Sequence, residues 1–193
     1  MRLLIMGPPG AGKGTQASRL STHYGVATVS SGDLFRSHIK AQDALGQKVS
    51  ALISRGEFVP DVLTTSMVFR RLLKPDTRGV GWLLDGYPRT LGQVEALDIA
   101  LTELGARLDG VVSLVADPVE LVGRMLRRAV LEGRADDNEE TIRRRIAVYS
   151  AETEPVLDEY RARDLVVEVD ALGGVDDVFQ RITAGLQGKL VTR

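Results

Sequence analysis

A glycine-rich segment close to the N-terminus has the clearest chemical potential in the chain. Residues 7–15 read Gly-Pro-Pro-Gly-Ala-Gly-Lys-Gly-Thr and stand between a short apolar run and a helical pattern. Glycines let successive backbone N–H groups turn toward one anion, and the positive end of a following helix adds to the attraction. Lys13 could then reach the β- and γ-phosphates of a nucleotide, and the Thr15 hydroxyl could bind Mg²⁺. The segment therefore predicts a nucleotide phosphate site, formed by Gly10, Ala11, Gly12, Lys13, Gly14 and Thr15.

A second segment with chemical potential follows the apolar run at residues 82–84 and reads Asp-Gly-Tyr-Pro-Arg-Thr. An aspartate at the carboxyl end of a buried strand lies where open α/β sheets bind ligands, and Asp85 could hold Mg²⁺ through water. The planar fork of Arg89 suits a phosphate group. Asp-Gly and Tyr-Pro are also common turn dipeptides, but the glycine-rich segment upstream favours the functional interpretation.

The elements that must position these residues are short strands alternating with helices. Five runs are almost continuously apolar, as expected for strands buried on both faces. They are Arg2–Met6, Ala27–Ser30, Gly81–Leu84, Gly110–Ala116 and Leu165–Val169. Strand–helix alternation predicts an α/β fold in three layers, with a five-stranded parallel sheet and helices on both faces.

Two helices are indicated by their start signals. One begins after Asp117, which precedes a proline and stands three residues before a glutamate. The other is predicted to start with Asp137 as its N-cap and Glu140 three residues later. We expect Pro155 to kink or end this second helix, because proline lacks the N–H of an interior helical residue.

Two segments do not fit a simple strand–helix–strand connection. Residues Ser31–Val59 have a helical pattern but are too long for one crossover helix, since a further helix at Val62–Leu73 follows before the next strand. Residues Glu132–Asp137 form a polar loop between two long helices. Both are candidates for parts that move over the site.

Composition excludes several classes of protein. The formal net charge of the 193 residues is −1, so no basic field attracts nucleic acid or an anionic membrane. The chain has no apolar run of the ~20 residues that span a bilayer and no signal-peptide pattern, which predicts a cytoplasmic protein. Without cysteine, and with His23 and His38 expected at the surface, no structural zinc is expected.

The motifs together resemble the nucleoside monophosphate kinases, and among these the short-lid adenylate kinases. Gly14 separates Lys13 from Thr15, as in the family's version of the phosphate loop. The segment at 85–90 resembles the family's Asp-Gly-[Phe/Tyr]-Pro-Arg motif, residues 30–36 its acceptor segment, and residues 133–141 the end of its lid. The resemblance extends from Arg2 to about Leu186.

The resemblance implies a single P-loop kinase domain over residues 1–193. Its core would comprise 1–29, 60–127 and 138–193, with a helical nucleoside-monophosphate-binding excursion at 30–59 and a short lid at 128–137. The implied activity is the reversible, Mg²⁺-dependent transfer of the terminal phosphoryl group of ATP to AMP, which gives two ADP. The implied partners are these small molecules, and the family default is a monomer.

The resemblance also implies roles for individual residues. The implied AMP site comprises Ser31, Arg36, Glu57, Phe58, Val59, Gly86, Arg89, Gln93, Arg134 and Arg145. ATP would be bound by the phosphate loop together with Arg124, Arg128 and Gly173. The implied catalytic residues are Lys13, Arg89, Arg128, Arg134 and Arg145, and Thr15 and Asp85 would hold Mg²⁺.

Concentrated arginines suit phosphoryl transfer because its loose transition state spreads negative charge over the migrating group. The acceptor phosphate is already ionised, so the reaction needs positioning, neutralisation and exclusion of water rather than a general base. Arg124 and Arg128 stand one helical turn apart and would project from the same face. By contrast, Arg143 and Arg144 are expected on a solvated helix face, balanced by nearby glutamates.

Three other functions are possible. A uridylate/cytidylate kinase typically has Ala in place of Ser31 and Asn near Gln93, so both positions favour AMP. A small-molecule P-loop kinase of another type would leave the segments at 85–89 and 133–137 unexplained. A nucleotide-binding regulator without catalysis would be expected to have lost Lys13, Asp85 or the arginines.

Overall fold

The computed structural model describes residues 1–132 and 138–191, and its centre is a single parallel sheet. The strands are β1 (Arg2–Met6), β2 (Ala27–Ser30), β3 (Trp82–Asp85), β4 (Gly110–Val115) and β5 (Val166–Asp170). Their order across the sheet is β2-β3-β1-β4-β5, and every neighbouring pair is parallel. The predicted five-stranded parallel α/β fold is therefore confirmed.

Helices fill the connections between strands. Those in the first half of the chain are α1 (Lys13–Tyr24), α2 (Ser31–Ala41), α3 (Ala44–Ser54), α4 (Asp61–Leu72) and α5 (Pro75–Arg78). Those in the second half are α6 (Leu91–Glu103), α7 (Pro118–Glu132), α8 (Glu139–Val148), α9 (Glu154–Ala162) and α10 (Val175–Val191). A single π-helical turn, Tyr149–Thr153, joins α8 to α9.

The central strand shows why its sequence lacks alternation. Leu3 and Ile5 face one hydrophobic core, which α1 and α10 cover, whereas Leu4 and Met6 face the other, which helices α2, α3, α4, α6 and α9 cover. All four side chains are at least 96% buried. Burial of each large apolar side chain stabilises the fold by ~1.5–3 kcal/mol, so an apolar residue is favoured at every position of β1.

The strand register brings the carboxyl ends of three strands to one edge of the sheet. Ile5 pairs with Asp85, and Asp85 in turn pairs with Ser30. The third strand starts one residue later than predicted, because Gly81 has a φ of +105° and lies outside the extended conformation. The residues that follow β1, β2 and β3 therefore meet at this edge.

The long connection after β2 consists of two helices and a sharp turn. Asp43 caps α3, since its Oδ1 accepts hydrogen bonds from the backbone N–H groups of Leu45 at 3.1 Å and Gly46 at 2.9 Å. Its other carboxylate oxygen lies 2.5 Å from His38 Nδ1. His38 therefore joins α2 to the turn. The helical pattern predicted for Ser31–Val59 corresponds to the two helices α2 and α3.

The start and end of α8 differ from the predicted helix. Asn138, rather than Asp137, is the N-cap, and its side chain accepts from the Thr141 N–H at 2.9 Å. Asp137 lies outside the described residues. Pro155 stands in the first turn of α9, where a missing N–H is tolerated. The helical path thus continues past the expected break, and the π turn ahead of the proline accommodates it.

Within the part of the chain that the structure describes, none of the helices combines the length and the apolar character needed to cross a bilayer.

Candidate functional site

The glycine-rich loop joins β1 to α1 in a conformation that only glycine adopts easily. Gly10 has a φ of +85° and Gly12 a φ of +89°. A Cβ on Gly10 would lie 2.9 Å from both Leu121 O and Met125 Cγ of α7, so a side chain there would be strained and crowded. Gly12 is also the N-cap of α1, without a side chain that could cover the first N–H groups of the helix. The loop is therefore shaped to present backbone donors to an anion.

Lys13 lies at the centre of the loop. Its ammonium donates to Gly7 O at 2.7 Å and to Pro8 O at 2.9 Å. Burial is the main reason that the pKa of Lys13 is lowered to about 8; the charge of Asp85 opposes the shift, and those of Arg89 and other arginines contribute to it. The site thus holds an excess of positive character that an anionic ligand would relieve.

Asp85 and Arg89 stand on either side of a tight turn after β3. Burial raises the pKa of the Asp85 carboxyl, while the neighbouring charges of Lys13 and Arg89 act in the opposite direction. Arg89 Nε donates to Gly86 O at 2.8 Å, and its guanidinium lies 5.3 Å from the centre of the Phe58 ring. Burial, and then repulsion from Arg145, lower the pKa of Arg89 to about 10. A second anion would be stabilised between these two arginines.

The N-terminus of α2 faces the same turn. The Ser31 hydroxyl donates to Gly86 O at 2.7 Å, which ties α2 to the segment after β3. Arg36 forms an ion pair with Asp33 one turn earlier on the helix. A Cβ on Gly86 would lie 2.7 Å from both Ser31 Oγ and Arg89 Nη2, so this contact requires glycine.

Four further residues with predicted roles in the AMP site surround the Arg89 side of the cleft. Glu57, Phe58 and Val59 follow α3 and line the cleft together with Gln93 of α6. Gln93 is 2% exposed, and its Oε1 accepts from the Arg89 N–H at 2.8 Å. The segment after α3 and the start of α6 thus enclose a pocket next to the turn at Gly86.

Three arginines approach the cleft from α7 and α8. Arg124 and Arg128 of α7 and Arg145 of α8 all line it. Arg124 Nε lies 3.1 Å from Glu120 Oε1, and its Nη1 donates to Ala171 O at 3.1 Å. Arg134 lies outside the described residues. Arg124 and Arg128 therefore line the same cleft as the phosphate loop.

The two arginines that precede Arg145 have different ion-pair partners. Arg143 pairs with Glu139 at 2.8 Å on an exposed helix face, as expected. Arg144 instead reaches Glu57 Oε1 at 2.7 Å, which joins α8 to the segment after α3. The sequence interpretation of Arg144 as balanced by its neighbouring glutamates is wrong, because the two segments pack against each other.

The phosphate loop, the turn after Asp85 and the arginines at 124, 128 and 145 open into one cleft of about 680 Å³. Of the residues with predicted roles that the structure describes, those lining it are Gly10, Gly12, Lys13, Gly14, Thr15, Ser31, Arg36, Glu57, Phe58, Val59, Asp85, Gly86, Arg89, Gln93, Arg124, Arg128 and Arg145. Ala11 is 2% exposed and packs into the core beneath the loop. Gly173 lies off the lining, in the loop whose Ala171 carbonyl meets Arg124. The individual roles stay predictions.

Several lining residues carried no sequence signal. Tyr149 and Thr153 reach the cleft from the π turn, and Thr153 Oγ1 donates to Arg89 O at 3.1 Å. Met125 enters from α7, and Ile53 from α3. Periodicity would assign apolar residues such as these to a core, so only the packing of the helices reveals them.

The oxygen donors for a metal are few. Thr15 and Asp85 both line the cleft beside the phosphate loop. Within residues 1–132 and 138–191 there is no group of three or more His, Cys, Asp and Glu side chains that could hold an ion by themselves. A hydroxyl and a carboxylate suit Mg²⁺, which keeps several waters and shares its remaining ligands with substrate phosphates.

Comparison with known proteins identifies a family for this arrangement. The family model described as adenylate kinase matches residues 5–165. A protein named adenylate kinase from Clavibacter michiganensis subsp. michiganensis is 55% identical over 188 residues, which cover 97% of this chain and 94% of the relative. The corresponding relative from Leifsonia xyli subsp. xyli is 54% identical over 95% of this chain and 92% of its own length. A protein named adenylate kinase from Thermobifida fusca is 45% identical over 98% of this chain and 100% of its own length.

The matched region contains both phosphate-directed segments and the arginines that line the cleft. The relatives align over nearly their full length, so the match covers the whole α/β fold rather than the phosphate loop alone. The chain is a member of the adenylate kinase family.

Proposed function

We propose that this phosphotransferase catalyses the reversible transfer of the terminal phosphoryl group of Mg·ATP to AMP, which gives two ADP. The observation that carries the proposal is that two separate cationic sets open into one cleft. Lys13 and the loop amides form one set, and Arg36 with Arg89 forms the other. A single cleft with two anion sites suits a reaction between two phosphates.

The donor triphosphate would be held by the loop that begins α1. Its backbone N–H groups would cradle the phosphates, and Lys13 would balance charge that grows on the migrating group. Asp85 and Thr15 would hold Mg²⁺, largely through water, and the bound ion would neutralise the β- and γ-oxygens. Burial of Asp85 beside Lys13 supports this assignment, because a buried carboxylate needs neighbouring positive charge to remain ionised.

The acceptor monophosphate would lie against Arg36 and Arg89, with its base toward residues 57–59 and Gln93. Its phosphate oxygen is ionised, so no protein group must remove a proton before attack. Arg128 and Arg145 would then neutralise the repulsion between the two substrates. Two pKa values support this role for the site, because those of Lys13 and Arg89 are both lowered and would recover when phosphates bind.

Four finer statements belong to the same proposal. The enzyme depends on Mg²⁺, acts as a monomer in the cytoplasm, and has ATP, AMP and ADP as its partners. Ser31 and Gln93 support AMP as the acceptor, since both line the acceptor half of the cleft.

The test is a coupled assay of ADP formation with AMP, CMP, UMP and GMP at equal concentration and saturating Mg·ATP. AMP is expected to give the highest rate. A higher rate with CMP or UMP would contradict the adenylate assignment and identify a pyrimidine nucleotide kinase instead.

A further inference from the structure

Asp61, the first residue of α4, has two strong contacts with the start of α6. Its Oδ1 accepts from Gln93 Nε2 at 2.6 Å, and its Oδ2 accepts from the Thr90 hydroxyl at 2.6 Å. Asp61 is half-buried and is not among the cleft-lining residues. It therefore acts on the cleft only through the side chains that it holds.

These contacts define which end of the Gln93 amide points where. A carboxylate only accepts hydrogen bonds, so the amide nitrogen must face Asp61. The Arg89 backbone N–H only donates, so the amide oxygen must face Arg89, where the distance is 2.8 Å. Thr90 strengthens the arrangement, because its Oγ1 also accepts from the Gln93 N–H at 3.2 Å and caps α6.

The amide retains one N–H donor and one acceptor lone pair beyond these bonds. A 6-aminopurine offers a complementary pair, the N1 acceptor and the 6-amino donor. A 6-oxopurine offers the reverse, an N1–H donor and an O6 acceptor. An amide that could rotate by 180° would match either base, whereas a fixed amide matches only one.

We propose that Asp61 is a positioning residue that fixes the Gln93 amide in the orientation that selects a 6-aminopurine over a 6-oxopurine acceptor. This inference rests on the proposed function, because it takes the AMP base to lie against Gln93. In the fixed orientation a 6-oxopurine would place acceptor against acceptor and donor against donor. Each of these polar groups would lose its hydrogen bond to water without gaining another, which weakens binding.

The test compares AMP with inosine monophosphate, which differs from AMP at the 6-position and at N1. In Asp61→Ala, the ratio of kcat/KM for AMP to that for inosine monophosphate should fall about tenfold or more, since hydrogen-bonded sites discriminate strongly only while the partner is fixed. KM for AMP should rise, and KM for ATP should stay within about twofold. Asp61→Asn should keep most of the selectivity, because its Oδ1 can still accept from Gln93 and its amide can donate to Thr90.

Asp76→Ala is the matched control. Asp76 also lies in the first turn of a helix and makes two contacts with one partner, Arg71. The Asp76→Ala protein should lose stability without any change in acceptor selectivity. Asp61→Ser keeps a polar residue at the helix start but is too short to reach Gln93, so it should behave like Asp61→Ala.

The outcomes separate this inference from the proposed function. If the unsubstituted enzyme does not prefer AMP, the proposed function fails before any variant is compared. If it does prefer AMP but Asp61→Ala or Asp61→Ser keeps the full ratio, the inference is wrong. Equal rises in KM for AMP and ATP would also overturn it. If both variants fail to fold while Asp76→Ala folds, Asp61 is a structural residue and the inference is likewise rejected.

Discussion

Nucleotide binding should be coupled to proton uptake through Lys13. Burial lowers the pKa of this lysine from 10.5 to about 8 in the free protein. This lowering corresponds to ~3 kcal/mol of lost preference for the charged form. A bound triphosphate replaces that missing stabilisation, so the pKa of Lys13 should rise when Mg·ATP binds.

The size of the effect follows from the pKa of about 8 in the free protein. Binding should take up ~0.1 proton at pH 7, ~0.5 at pH 8 and ~0.9 at pH 9, provided that the pKa in the complex returns to near the ordinary value of 10.5. The dissociation constant for Mg·ATP should therefore increase about tenfold between pH 7 and pH 9. Excess Mg²⁺ keeps the phosphates fully ionised over this interval, so the nucleotide contributes little to the change.

Isothermal titration calorimetry in two buffers with different ionisation enthalpies measures this uptake directly. Lys13→Met is the control, because it keeps an unbranched side chain of similar length but cannot titrate. The observed enthalpy should depend on the buffer at pH 8 and pH 9 for the lysine protein and not for the variant. Heats independent of the buffer, or equal uptake in both proteins, would refute the reasoning.

The same group has a defined effect on stability. Because the folded pKa is lowered, the unfolded state binds more protons between about pH 8 and pH 10.5, and the stability contributed by Lys13 rises with pH in that window. Below pH 8 the lysine is charged in both states and its burial is unfavourable. The difference in unfolding free energy between the nucleotide-free protein and Lys13→Met should follow this sign.

Three further perturbations test other parts of the site. Arg89→Ala should raise KM for AMP about tenfold or more and KM for ATP much less, since a charge-assisted contact contributes ~1.5–3 kcal/mol; equal losses in steady-state kinetics would exclude an acceptor-side role. Gly10→Ala should destabilise the protein by ~1–3 kcal/mol and weaken ATP binding, because the positive φ and close neighbours of Gly10 leave no room for a methyl group. Gly188→Ala is the control and should do neither, since a Cβ at Gly188 would meet nothing within 4 Å. A bisubstrate analogue that joins two adenosines through five phosphates should draw both segment 30–59 and segment 128–137 toward the sheet, as measured by fluorophore pairs; unchanged distances at saturation in active labelled protein would show a preformed site.

The parts of the site that could be predicted from the sequence are those set by local pattern. Lys13 follows a glycine-rich turn, and Asp85 ends an apolar run, so their places at the edge of the sheet follow from strand and helix signals. The strand limits were displaced by one residue at Gly81, where the backbone conformation rather than apolar character decides the boundary.

The parts that could not be predicted depend on long-range packing. Asp61 looks like an ordinary acidic residue at a helix start, and its bonds to residues 29 and 32 positions away exist only because α4 packs beside α6. The exposure of Arg144 agrees with the sequence prediction, but its predicted pairing with nearby glutamates is wrong, because its partner Glu57 is 87 positions away. No local periodicity contains that information.

The π turn at Tyr149–Thr153 sets the rotational phase of the helical rod on which Arg145 lies. In an unbroken α-helix each residue advances by about 100°, so side chains eight positions apart would diverge by ~80°. A π turn absorbs one extra residue, so Arg145 and Thr153 stand as if seven positions apart and diverge by only ~20°. The guanidinium in the cleft and the hydroxyl that holds the Arg89 carbonyl therefore share one side of the rod. If the same residues formed a regular α-helix, one of these two groups would turn away from the substrates, whereas loss of a single residue here would leave both the helix and the shared side intact.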